Sequence, residues 1–355
     1  MSCCGAAPET DQSLRCSTMV TAAGLQNRAD CIHCWLHRRT PVCMNSTLDS
    51  YFLKELDDEQ KDTFEFNKDW KFSGIQRIFY NALVKELGGF GTEPGKFIWP
   101  TSVTMTLDGD LVVKDSGSKQ IQLFGPDGCH KHGFSYGSEP KKDLGGVACT
   151  RDGLLLVTDG SKAIKVFSKE GEMIHQLKST EMDWNHSYRM AVLKSNAIAM
   201  TDWTDGGKVR IIEVDWRMNT ILKMNVIDGF HRPEHIAVNK IEEILITEGQ
   251  LFGKYQGCCL KIMDSERILR KTIGPNYGNK FTFVNPSGVC VDSNENFFVA
   301  DEAENCIVLF NPDASLFALV VTQDLEGPCG LSVTKDGLLA VADCYHHSVK
   351  LYRYR

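Results

Sequence analysis

Six times along this 355-residue chain a short apolar run ends, within two residues, in an acid. LVVKDSG carries Asp115, LLLVTDG Asp159, AIAMTDW Asp202, EILITEG Glu248, NFFVADEA Asp301 and LLAVADC Asp343. Successive acids lie 44, 43, 46, 53 and 42 residues apart. A fixed period in the forties, built of short strands and Gly-rich turns, constrains the fold more than any composition does. Each unit is too small to bury its own apolar face and must stack on its neighbours.

The register extends beyond the acid. ALVKELGGFGTEPGKFIWPTSV (82–103) aligns without a gap on ILRKTIGPNYGNKFTFVNPSGV (268–289). Lys85 coincides with Lys271, Phe97 with Phe283, Pro100 with Pro286 and Val103 with Val289. Each unit reads as four strands. The first ends at a turn such as Leu107-Asp108-Gly109-Asp110, and the second carries the acid. The third resembles IQLF and the fourth MIHQL. Six units of four strands predict an all-β, six-bladed β-propeller. The last unit stops after SVKLYRYR, one strand short, while the orphan strand NALVKEL precedes the first unit. The ring is therefore expected to close by pairing Ala82–Leu87 with Ser348–Tyr354, which removes two sheet edges. An acid repeated in every blade is read as scaffold, because one active site needs one constellation. Its expected task is to hold the tight turn after the strand by accepting backbone N–H groups two residues on. Glu248 departs from the pattern, and its unit, the longest, is expected to carry a longer loop in GQLFGKYQGCC.

The pattern FG…PG-x-F…P…V…DG-x-[LI]-x-V-x-D-S-G-x…IQ-x-F-x-P-D-G resembles the NHL repeat. The resemblance covers residues 82–355, is strongest in the first unit and weakens in the third and fourth. The terminal DGLLAVADCYHHSVKLYRYR is similar to the last blade of the tripartite-motif NHL proteins. The resemblance implies a six-bladed NHL-type propeller that binds proteins or single-stranded RNA, in a family whose full-length members are ubiquitin ligases with a RING finger, a B-box and a coiled coil. The 81 residues before the propeller are too few for all three modules, so any ubiquitin transfer is expected to need a partner's RING. WD40 fits poorly: Asp-Trp occurs at 183, 202 and 215, but no strand ends in Trp-Asp.

Residues 1–47 are read as a disordered, Cys-containing tail. CIHCWLHRRTPVC offers one zinc set, Cys31, Cys34, His37 and Cys43, as the alternative; a single CxxC is a weak metal pattern, and no other cofactor is implied. Residues 48–81 form a short irregular or helical extension. Leu48, Phe52, Leu53 and Leu56 make one apolar face of an acidic helix, expected to dock on the propeller rather than to dimerise. Six aromatics in 63–81 are expected to pack on the last blade. The N-terminus lacks an export signal and the chain has no long apolar run, so a cytoplasmic, membrane-free protein with mostly free thiols is expected.

One propeller face, formed by the loops after each acid and those entering each unit, carries the richer residues, among them Trp99 and Lys119. The repeating Phe97 and Phe283 are read as buried spacers between blades. The non-repeating partner-binding candidates are Trp184, Tyr188, Arg189, Trp203, His231, Arg232, Phe252, Lys254, Tyr345 and His346. Aromatics interleaved with cations suit protein hot spots and also single-stranded RNA. From residue 90 onward, 29 Lys and Arg face 34 Asp and Glu, a net of −5. That balance favours a protein partner over RNA, and no DNA binding is expected. His186, His231, His235 and His346 come from three units, His231 and His235 sharing one, and offer an axial metal set, but no catalytic motif accompanies them. The reading is a recognition module without catalysis of its own, acting in substrate recognition for ubiquitination.

Overall fold

The computed structural model describes residues 82–137, 143, 145–178, 188–203, 206–249, 257–274, 282–315 and 317–354. The expectations for residues 1–81, including the zinc set and the helix, lie outside the described residues. Among the described residues, twenty-four strands form six four-stranded antiparallel sheets. Strand β1 (Ala82–Gly88) precedes them all. Blade 1 is β2 (Pro100–Met105), β3 (Leu111–Asp115), β4 (Gln120–Phe124) and β5 (His130–Ser135); blade 2 is β6 (Val147–Cys149), β7 (Leu155–Val157), β8 (Ala163–Phe167) and β9 (Met173–Lys178). Blade 3 is β10 (Met190–Val192), β11 (Ile198–Asp202), β12 (Lys208–Asp215) and β13 (Thr220–Ile227); blade 4 is β14 (Pro233–Val238), β15 (Ile244–Glu248), β16 (Cys259–Met263) and β17 (Leu269–Ile273). Blade 5 is β18 (Pro286–Val291), β19 (Phe297–Asp301), β20 (Cys306–Phe310) and β21 (Phe317–Val321). Blade 6 is β22 (Pro328–Val333), β23 (Leu338–Asp343), β24 (Ser348–Arg353) and, as its outer strand, β1. Ala82 pairs with Arg353 and Gly88 with Ser348, so the ring closes as the missing strand required.

The apolar triplets are second strands. Each lies inside its blade and is covered on both faces by the flanking blades, so β3, β11, β15 and β19 are buried along their whole length. The outer strand β5 instead alternates between half-buried and exposed residues, and β13 mixes the two. The core divides into six clusters, each shared by two adjacent blades. At the closing seam Leu87, Val349 and Leu351 of blade 6 meet Phe97, Val113 and Phe124 of blade 1. Phe97 and Phe283 are buried and contact Phe124 and Phe310 in the same way, at 5.7 and 6.1 Å. The matched lysines also act alike: Lys85 and Lys271 each donate to a turn carbonyl of the next blade, Asp127 and Asp313.

The acids are scaffold, with a wider reach than an Asx turn. Asp115 accepts Gly117 N at 3.1 Å, but it also accepts Ile98 N at 2.8 Å, Trp99 N at 2.6 Å and the Ser118 hydroxyl at 2.6 Å. Asp301 holds Val284 N and Asn285 N at 2.8 and 2.9 Å. Both acids thus tie the loop entering the blade to the end of its second strand. In four blades a third-strand cation completes the site: Lys165 on Asp159, Arg210 on Asp202, Lys261 on Glu248 and Lys350 on Asp343, at 2.7 to 2.9 Å. Glu248, one methylene longer, reaches His231 N at 2.7 Å as well.

One pair of cysteines departs from the expected free thiols. Cys329 and Cys344 form a disulfide with Cα atoms 6.5 Å apart. Each follows one of two register partners, Pro328 on β22 and Asp343 on β23. Among the described residues, the other six cysteines are free, four of them buried as small apolar fillers.

Candidate functional site: the loop face and the channel mouth

The innermost strands of the six blades line a channel on the propeller axis, with a cavity of about 230 Å³. Register identifies the tiers. Threonines preceding the acid accept the N–H groups of Gly146, Arg189 and His235 at 2.9, 3.1 and 3.1 Å, so these three residues are equivalent. In the other blades the same tier, two residues after the proline paired with the acid, holds Ser102, Gly288 and Gly330. Arg189 and His235 are therefore the long side chains of a ring otherwise made of serine and glycines. The glycines are required by close approach: a Cβ on Gly330 would lie 2.8 Å from Ser102 Cα, and one on Gly146 would lie 3.1 Å from Arg189 Cδ. Arg189 reaches towards blade 2, where Nη1 donates to the Gly145 carbonyl at 2.6 Å.

Charge concentrates at the loop-side mouth. Burial lowers the Arg189 pKa to about 10, which leaves it a cation at neutral pH. Burial raises that of Glu234 to about 7, against the pull of Arg232 and Arg189. Burial, then the charge of Arg189, hold the deeply placed His235 neutral. Lys114, pushed down to about 8 by burial, pairs with Asp143 at 2.7 Å; Lys119 stands 3.3 Å from the same carboxylate, and the Tyr136 hydroxyl donates to it.

Aromatic rings border this mouth. Tyr188 and Trp203 stack at 4.0 Å, and the Arg232 guanidinium lies 4.0 Å above the Trp203 ring. Trp203 Nε1 donates to Pro233 O at 2.7 Å, and Arg232 Nη2 pairs with Glu234 at 2.8 Å. Arg232 Nε and Nη1 are buried and meet no acceptor. A second group sits at the seam of blades 1 and 6. Trp99, 49% exposed, faces Tyr345, 37% exposed, with ring centroids 6.4 Å apart. His346 Nδ1 bonds Asp343 at 2.7 Å and its Nε2 lies 3.7 Å from Glu326.

Of the ten candidates, Tyr188, Arg189, Trp203 and Arg232 come together beside the channel. Tyr345 and His346 belong to the seam group, and His231 is exposed next to Arg232. Trp184, Phe252 and Lys254 lie outside the described residues. Sequence reasoning did not single out Glu234, Lys114 or Asp143. A signal for Glu234 existed: it follows the paired proline, where aligned units carry the smaller Thr101, Ser287 and Cys329.

The NHL repeat family model matches residues 283–310, which fall in blade 5 rather than in the first unit. Human E3 ubiquitin-protein ligase TRIM32 is 26% identical over 305 residues, covering 79% of this chain and 45% of that protein. Mouse E3 ubiquitin-protein ligase NHLRC1 is 25% identical over 282 residues, covering 75% and 68%. The chain thus spans about half the length of TRIM32. A streptogramin B lyase structure superposes with a TM-score of 0.55 at 15% identity, covering 76% of this chain and 99% of that one, a likeness of fold alone.

Proposed function

From the premise that this chain is an NHL-repeat β-propeller protein similar to the NHL regions of tripartite-motif and related ubiquitin ligases, we infer that it is a recognition module that binds a protein partner through its loop face. The partner class follows from one observation. Beside the channel, Tyr188, Trp203 and Arg232 form a continuous aromatic–cation stack with a carboxylate, Glu234, built into it. Tyr, Trp and Arg are the residues that anchor protein interfaces, and an interleaved acid suits a partner of mixed charge. A single-stranded RNA track needs the opposite, an uninterrupted cationic path beside its stacking platforms. In this reading the bound protein is a substrate for ubiquitination.

A photo-crosslinking residue placed at Trp99 or Tyr345, both exposed on the loop face, is expected to capture a defined protein; the same residue at Leu107, exposed at a turn of the opposite face, is not. Titration with a randomised single-stranded RNA pool at two salt concentrations decides between the readings. Tight binding that weakens with salt and is lost in Arg232→Glu would overturn the protein reading in favour of RNA.

A further inference from the structure

We propose that the loop-side mouth of the central channel is a carboxylate pocket, in which an acidic group of the bound protein enters along the axis, pairs with Arg189 and lies against Trp203 and Arg232. This rests on the reading that the face binds protein, and it specifies the chemistry that the partner must bring.

Three observations carry it. The first is space. Glycine occupies the Arg189 tier in three of the six blades, so a cavity remains on the axis beside the guanidinium. Arg189 is only partly covered and lines that cavity. The second is unspent donor capacity. A guanidinium carries five N–H donors, and among the described residues Arg189 donates to one acceptor, the Gly145 carbonyl, and forms no ion pair. Arg232 adds two buried nitrogens, Nε and Nη1, without an acceptor. A carboxylate matches open guanidinium donors, because its two oxygens can accept two of them at once. The third is that the neighbouring acids are engaged. Glu234 pairs with Arg232, Asp143 is held by Lys114, Lys119 and Tyr136, and Glu302 accepts Asn285 Nδ2 at 3.0 Å. The acids nearest Arg189 are thus committed to other partners among the described residues, and an incoming carboxylate meets a guanidinium with donors to spare. A phosphodiester chain would bring several charges past Glu234 and Glu302 and meet their repulsion. The carboxylate can be the C-terminus of the partner or an Asp or Glu side chain.

The test is fluorescence polarisation of the full chain with three labelled hexapeptide pools. One has free C-termini and no Asp or Glu, one is amidated without Asp or Glu, and one is amidated with a fixed Glu. Saturable binding of the first or third pool, absent for the second, supports the pocket and identifies which source of carboxylate it takes. Arg189→Met should weaken that binding about tenfold or more, as loss of a charged hydrogen bond does. Arg189→Met could also unfold the chain, so a thermal melt accompanies it and Glu234→Gln provides an independent reading. Removing the competing acid should tighten carboxylate binding roughly threefold, the scale of a partly solvated like-charge pair. Equal binding of all three pools, or none by any, overturns the pocket. Neither result touches the crosslinks from Trp99 and Tyr345, by which the protein reading stands or falls. Displacement of a bound pool by single-stranded RNA but not by acetate also overturns it.

Discussion

Asp115 is buried, and its carboxylate accepts four hydrogen bonds, three of them from backbone N–H groups. Asp115→Ala leaves Ile98 N and Trp99 N without acceptors in a place that water reaches poorly. The expected loss is about 3 kcal/mol of unfolding free energy, read from urea denaturation, with a smaller loss for Asp115→Asn, which keeps one oxygen. Equal stability of all three proteins would show that the carboxylate is not the tie it resembles. That the acid is scaffold was legible from its sixfold recurrence. Its partners were not, because Ile98 and Trp99 precede it by 17 and 16 residues and only the folded loop brings them back. Glu234 was hidden because its burial, the main cause of its shift, and its nearness to Arg189 on another blade are set only by the fold. Its pKa of about 7 lies above the ordinary 4.5, because burial disfavours the ion. The folded chain therefore holds this proton more tightly than the unfolded chain. The cost of ionising Glu234 is absent below about pH 4.5 and complete above about pH 7, and it reaches at most about 3 kcal/mol. Subtracting the stability–pH profile of Glu234→Gln from that of the parent should expose a fall of that size between pH 5 and 8. A flat difference would mean that Glu234 ionises as it does in water.

Strand β1 turns a row of five complete blades and one incomplete blade into a ring, and its last residue is fitted to that task. Gly88 has φ of +105°, and a Cβ there would stand 2.3 Å from Phe97 Cδ2, inside the seam between blades 6 and 1. Gly153, in a turn on blade 2, has φ of +85° and open space around it. Alanine at both positions incurs the same backbone strain, about 1–2 kcal/mol, and at Gly88 the clash with a fully buried ring adds to it. Gly88→Ala should thus melt below Gly153→Ala in a thermal scan, and equal melting points would mean that Phe97 moves aside freely. At this scale the sequence was most readable. Second strands are covered on both faces and so appear as apolar triplets, and a missing outer strand with an orphan to replace it dictates the closure. The third blade was the least readable, because its outer hairpin, β12 with β13, has eight residues in each strand and its outer face alternates weakly. The third-strand cations were equally concealed. Lys165, Arg210, Lys261 and Lys350 read as solvated charges until the pairing of second and third strands turns each onto its acid.

Among the described residues, the propeller is stabilised by six similar interfaces rather than by one core, and each apolar cluster belongs to two neighbouring blades. Chain order then matters only where the ring is closed. Arg353 and Ala82 are register partners at the open end of an antiparallel pair, so a short turn can join them and make blade 6 continuous. Two permutants of that joined chain separate the contributions. One opens at the exposed turn between Asp264 and Arg267, so that β17 completes blade 4 from the opposite end of the chain and a strand-paired closure is kept. The other opens at Gly229, between blades 3 and 4, and leaves every blade built from contiguous strands. Joining and cutting alter loop entropy by well under 1 kcal/mol in both. The first permutant should match the joined chain within about that amount. The second loses the main-chain ladder that bridges the two ends of the chain and retains only the side-chain contacts across one interface. It should be less stable by about 2 kcal/mol or more, a few net hydrogen bonds' worth, and it should unfold faster. The mouth responds with it, because Arg189 belongs to blade 3 and Glu234 and His235 to blade 4, on the two sides of that cut. If both permutants are equally stable, strand pairing adds nothing to closure. The six side-chain interfaces alone would then hold the mouth residues at their distances.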